Sequence, residues 1–126
     1  MSFSNYLETE ILDHVFAGAA YTAPSALHVA LYTATPNDAG GGTELSGSGY
    51  TRKTASFSTS GATTSNSGAV EYPTATGSWG TITHIGVFDA ATSGNLLAYG
   101  ALSASKAVAT GDVFRIPAGD LDITLN

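Results

Sequence analysis

The stretch WGTITHIGVFD, residues 79–89, decides the fold class. Ile82, His84, Gly86 and Phe88 alternate with Thr83, Ile85 and Val87, so apolar side chains fall on both sides of a period-two pattern. A strand with apolar residues on both faces is a central strand, covered above and below. Residues 90–95, AATSGN, then read as a turn, and 96–102 as the returning partner of a hairpin.

Working outward, period two recurs. Leu27, Val29 and Leu31 alternate with His28, Ala30 and Tyr32, the pattern of a strand with one face on a core. Residues 50–57 form a further strand whose faces are both weakly apolar, and Arg52 with Lys53 suits an edge protected against stray pairing. Residues 69–72 are a short strand stopped by Pro73. Residues 106–108, 112–117 and 121–125 complete the set, the last with Leu121, Ile123 and Leu125 alternating against Asp122 and Thr124. Residues 34–49 (ATPNDAGGGTELSGSG) and 58–68 (STSGATTSNSG) are expected to be mobile surface loops, because they hold too little apolar side chain to order themselves. About eight short strands separated by turn signals predict a mainly β fold, an antiparallel β-sandwich or small barrel over 26–126.

Only the start of the chain reads as helical. Leu7, Ile11 and Val15 recur every fourth residue, with Leu12, Phe16 and Ala19 beside them. Asn5 and Glu8 form a candidate capping pair, Glu8 and Glu10 occupy the first half where the helix dipole favours negative charge with Asp13 beyond them, and Gly18 offers a stop. The expected helix covers about residues 4–17.

Composition bounds the function. A chain of 126 residues is the size of one domain, 1–126. Ser, Thr, Gly and Ala fill 66 positions and only 28 are large apolar residues, so the core must be thin. Four Lys/Arg against ten Asp/Glu give a net charge of −6, too few cations for a phosphate-binding stripe, and nucleic acid is not an expected partner. No apolar run approaches a membrane span or a secretory signal, so no membrane partner is expected. Without cysteine there is neither disulfide nor thiol chemistry.

Candidate chemistry is sparse. His14, His28 and His84 lack ligand-type neighbours at metal spacing, and no serine sits in a G-x-S-x-G elbow. Asp120 and Asp122 share a strand face and suit an exposed strand end better than a calcium site. The glycine run 40–42 lacks the Lys-Ser/Thr of a phosphate loop. No catalytic residue, metal ligand or cofactor is therefore expected. Six tyrosines and five phenylalanines on a charge-poor chain serve either as core lining or as contact anchors. Because a thin core gains stability from a partner's buried area, assembly with copies of itself is the default inference.

Four segments together, SFSNYLETEILDHVF (2–16), LHVALYTATPNDAGGGTELSGSGYTRK (27–53), SWGTITHIGVFDAATSGNLLAYGAL (78–102) and GDVFRIPAGDLDITLN (111–126), resemble a family of small tailed-bacteriophage virion structural proteins. Members of that family are commonly labelled tail fibre protein. The resemblance implies a virion component, assembled in the host cytoplasm, with no enzymatic activity. Chain length and the lack of repeats or a second domain favour a capsid decoration or cement protein, a trimer that grips the major capsid protein and stabilises the head lattice. The alternative is a tail or tail-fibre-associated component that contacts the host surface. The expected contact residues are Phe3, Tyr6, Leu7, Ile11, Phe16, Tyr21, Tyr50 and Trp79.

Overall fold

The computed structural model describes residues 1–125. In chain order its elements are β1 (Ser2–Phe3), α1 (Asn5–Phe16), β2 (Leu27–Ala34), β3 (Thr43–Glu44), β4 (Lys53–Ala55), β5 (Phe57–Ser60), β6 (Thr63–Asn66), β7 (Val70–Glu71), β8 (Gly80–Phe88), β9 (Leu96–Val108), β10 (Arg115–Ile116) and β11 (Asp122–Thr124). One sheet runs β1-β9-β8-β2-β3, with β4 also paired to β2; β10-β7 and β11-β6-β5 form two smaller sheets. Every pairing is antiparallel. The fold is an open β-sandwich, not a closed barrel.

Burial explains the arrangement. Val29, Leu31, Ile82, Ile85 and Val87 from the large sheet pack against Val70, Tyr72, Ala75, Trp79, Phe114, Ile116 and Leu121. Burying side chains such as Leu31 or Ile82 completely stabilises the fold by about 1.5–3 kcal/mol each. On the other face of the sheet, Ala30, Tyr32, Phe88 and Leu96 make a second cluster with Tyr99 against it. Strand β2 is thus covered on both faces, although its alternation predicts only one. In β8 the register shifts between Ile82 and His84. This irregularity reverses the phase of the alternation, so Ile82 joins Ile85 and Val87 rather than Phe88.

Several boundaries differ from the sequence reading. The expected strand 50–57 divides: Lys53–Ala55 pairs with Leu27–Val29, and Phe57 begins a strand of a different sheet. Residues 58–68, expected as a loop, form most of the β5-β6 hairpin. Its threonines supply the β-propensity that polarity masks, and their hydroxyls pair across strands, Thr59 to Thr64 at 3.0 Å and Thr63 to Thr124 at 2.9 Å. Residues 34–49 contain β3 and a fully buried Pro36, and Leu45 donates its N–H to the Leu31 carbonyl at 2.9 Å. Residues 96–108 are one strand rather than two. Asn66, also in an expected loop, is buried and fully bonded: its amide donates to Gly68 and Pro117 carbonyls and accepts from Leu121 N–H.

Candidate interaction surfaces

Helix α1 is capped by Ser4, not by the expected Asn5. The Ser4 hydroxyl accepts from Leu7 N–H at 3.2 Å and donates to the Leu96 carbonyl, which ties the start of the helix to the start of β9. At the other end Ala17 and Ala19 both donate to the Asp13 carbonyl around Gly18, whose φ of 74° only glycine adopts freely. No residue of α1 is buried. Leu7 and Ile11 are half-buried, whereas Leu12, Val15 and Phe16 are 57%, 61% and 81% exposed. The amphipathic stripe read from the sequence therefore meets its own sheet only at its N-terminal part and ends as an uncovered apolar patch.

Beside the start of α1 lies a cleft of about 520 Å³. Ser4, Asn5 and Tyr6 form one wall, Asp38 to Gly41 another, and Gly94 to Leu96 a third, with Tyr32 and Phe88 within. Tyr99 donates its hydroxyl to Asp38, and the Asp89 carboxylate accepts from both the backbone (2.7 Å) and the side chain (2.9 Å) of Asn95. Burial works to raise the Asp89 pKa, but these hydrogen bonds outweigh it and hold the carboxyl below its ordinary range. Tyr21 N–H donates to His14 Nδ1 at 3.3 Å, which folds the chain after α1 back along it. Tyr6 and Tyr21 both have raised pKa values, first from lost solvation and then from charges that include Glu10 and Asp89.

Tyr50 and Trp79, two expected contact residues, serve the interior instead. Trp79 is 4% exposed and donates its indole N–H to the Ser48 carbonyl at 2.8 Å. It meets the Tyr50 and Tyr72 rings edge-on, and Phe114 meets Tyr72 in the same way. The Tyr72 hydroxyl donates to the Val29 carbonyl at 2.8 Å. Tyr50 donates to Glu44 at 2.7 Å and accepts from Leu31 N–H at 3.1 Å. Glu44 also takes a two-pronged hydrogen bond from Arg52, at 2.9 and 2.8 Å, while Arg52 donates to the Ala90 and Ser93 carbonyls and lies 3.7 Å over the Phe88 ring. Arg52, read as an edge guard, is instead a clamp between two loops. Burial raises the Tyr50 pKa strongly, and its bond to Glu44 adds to that. Burial would also raise Glu44, but the Arg52 and Tyr50 hydrogen bonds prevail and lower it.

A family model described as podophage GP4 fiber I protein gp80 matches residues 2–124. The chain belongs to that family. It is a phage virion structural protein of the fibre kind, as the resemblance implies. No curated protein matches it.

In this fibre-family protein the remaining expected contact residues divide by position. Phe3 is half-buried and shares a small groove with Thr59, Ile123 and Leu125. Tyr6 lines the cleft, Tyr21, Leu7 and Ile11 lie half-buried, and Phe16 stands free. Among the described residues no three His, Asp or Glu side chains gather as a metal site. His84 Nδ1 lies 2.9 Å from the Thr83 hydroxyl, and Asp122 accepts from Ser65. No helix is long and apolar enough to cross a membrane among those residues. Tyr32, Asp38, Phe88 and Asn95 were absent from the expected contact set. Asn95 and Asp38 sit in turn sequences whose composition signals only a loop, Phe88 reads as part of a covered strand, and Tyr32 falls on the face of β2 opposite the expected core, so nothing local marks their convergence.

Proposed function

We propose that this chain is a non-enzymatic structural component of a phage tail fibre, joined to copies of itself and docked on a neighbouring virion protein through α1. The family match over residues 2–124 carries the reading. The uncovered apolar end of α1 supports it: Leu12, Val15 and Phe16 serve no core, and a neighbour's surface gives them one. A closed ring of three suits a fibre axis, because symmetry repeats one weak contact and multiplies its effect. The expectation of a head-decorating cement protein rests on chain length and lack of repeats. The family's fibre description ranks above both, so the docking partner proposed here is a tail or fibre protein rather than the major capsid protein.

The test is a double variant, Leu12→Asp with Phe16→Asp, supplied to phage that lack the native copy. Both side chains are exposed, so stability should change by less than about 0.5 kcal/mol each. Incorporation into particles should be lost. A variant that folds and enters particles at the native level contradicts docking through α1.

A further inference from the structure

The cleft beside α1 holds an unmatched polar group. Tyr32 is 4% exposed, and its hydroxyl has no hydrogen-bond partner among the described residues. Buried phenols nearly always find one. Among the described residues no fully enclosed side-chain oxygen or nitrogen lacks a partner, so this hydroxyl reaches open space, and the cleft is the space that Tyr32 lines. Gly86 keeps the ring in place, because a Cβ there would come within 2.9 Å of both Tyr32 Cε1 and Leu96 Cδ1.

The other groups are set before any ligand arrives. Tyr99 binds Asp38 through one carboxylate oxygen and leaves the second free. Asn95 gives its amide N–H to Asp89 and keeps its carbonyl oxygen unengaged. Held side chains lose little freedom on binding, which favours affinity. Phe88, 8% exposed and with Arg52 over its ring, borders the cleft and holds its wall rigid. A volume of about 520 Å³ lies within the roughly 300–1,000 Å³ usual for small-molecule sites.

These groups select a chemistry. Free acceptors at Asp38 and Asn95 and a hydroxyl at Tyr32 call for a ligand rich in hydroxyl donors. No Lys or Arg lines the cleft, Asp38 is on its rim, and the chain carries a net charge of −6, so phosphates, sulfates and uronates are repelled. The geometry points to a site for a neutral saccharide, held by Tyr32, Asp38 and Asn95. The inference deepens the fibre reading and rests on it for its biological setting: the saccharide would be one presented on a host surface.

The test is a titration of the full ¹⁵N-labelled chain with free glucose, galactose, rhamnose and N-acetylglucosamine, and with glucuronate and inorganic phosphate as charged probes. At least one neutral sugar should shift amides of residues 38–41 and 94–96 at concentrations up to about 50 mM, and the charged probes should not. Tyr32→Phe should weaken binding about five-fold, the effect of one hydrogen bond, and Asp38→Asn, which keeps an acceptor for Tyr99, should weaken it as well. Unchanged spectra of both variants away from the cleft establish that they fold. No shifts with any neutral sugar, equal binding of glucuronate, or full affinity in both variants overturns the proposal. A chain located on fibres that binds no sugar overturns the cleft alone, and a sugar-binding chain located on the head overturns the fibre reading alone.

Discussion

Replacing Arg52 with Met should destabilise the protein by about 3 kcal/mol. The thioether keeps an apolar stem against Phe88 but removes both bonds to Glu44, both bonds to the Ala90 and Ser93 carbonyls, and the cation over the ring. Removing one member of a buried ion pair costs about 3–5 kcal/mol, chiefly because the partner stays desolvated. The Arg52 side chain is 8% exposed and Glu44 25%, so water recovers part of the Glu44 penalty and the lower end applies. With an unfolding entropy of about 2.1 cal/mol/K per residue, 126 residues convert this loss to a Tm drop of roughly 11 °C. Scanning calorimetry of the wild type, Arg52→Met, Glu44→Gln and the double variant measures it. The double variant should recover more than about 1 kcal/mol relative to additivity, since it leaves no unpaired carboxylate. A drop below about 3 °C, or strict additivity, refutes the clamp.

Four further outcomes follow from the same structure. Ser4→Ala, which removes the cap of α1 and its tie to Leu96, should cost about 1–2 kcal/mol in chemical denaturation; a loss below a few tenths would show that the tie is idle. Gly42→Ala should destabilise far more than Gly61→Ala, because both have positive φ but only the Gly42 Cβ meets backbone, Ala34 O and Pro36 N, at 2.8 Å; equal losses would contradict a packed 34–49 segment. The depressed Glu44 and Asp89 groups bind protons less readily folded than unfolded, so their stabilisation is full above the ordinary carboxyl values of 4.5 and 3.8 and falls as pH drops through and below them; an acid titration of Tm that is flat from pH 5 to below about 3 would refute this. Tyr50 and Tyr72 carry raised values, so stability should hold below pH 10.0 and decline above it as unfolded tyrosines ionise first.

Periodicity carried the architecture, including strands β7, β10 and β11 of the small sheets, and missed the β5-β6 hairpin. WGTITHIGVFD announces a doubly covered strand because Ile82, Ile85, Val87 and Phe88 are large and apolar, and burial follows. The β5-β6 hairpin escapes the same test because its threonines and serines show no apolar face; cross-strand hydroxyl pairs and Asn66 hold it. In β8, an apolar count cannot anticipate the register shift that moves Ile82 to the other face. The contact residues divide by the same logic. Phe16 is an apolar residue at a helix end and is free, but Trp79 and Tyr50 look identical in sequence to exposed anchors until Ser48 and Glu44 arrive to satisfy their polar atoms. The cleft was invisible because its parts lie on β2, β8, two turns and the start of α1, brought together only by strand order.

Immunogold labelling of intact phage with an antibody raised against this chain tests the central claim most directly. The proposed fibre role predicts gold along the tail fibres or at their attachment to the tail. Gold spread regularly over the head shell, with bare fibres, would contradict it.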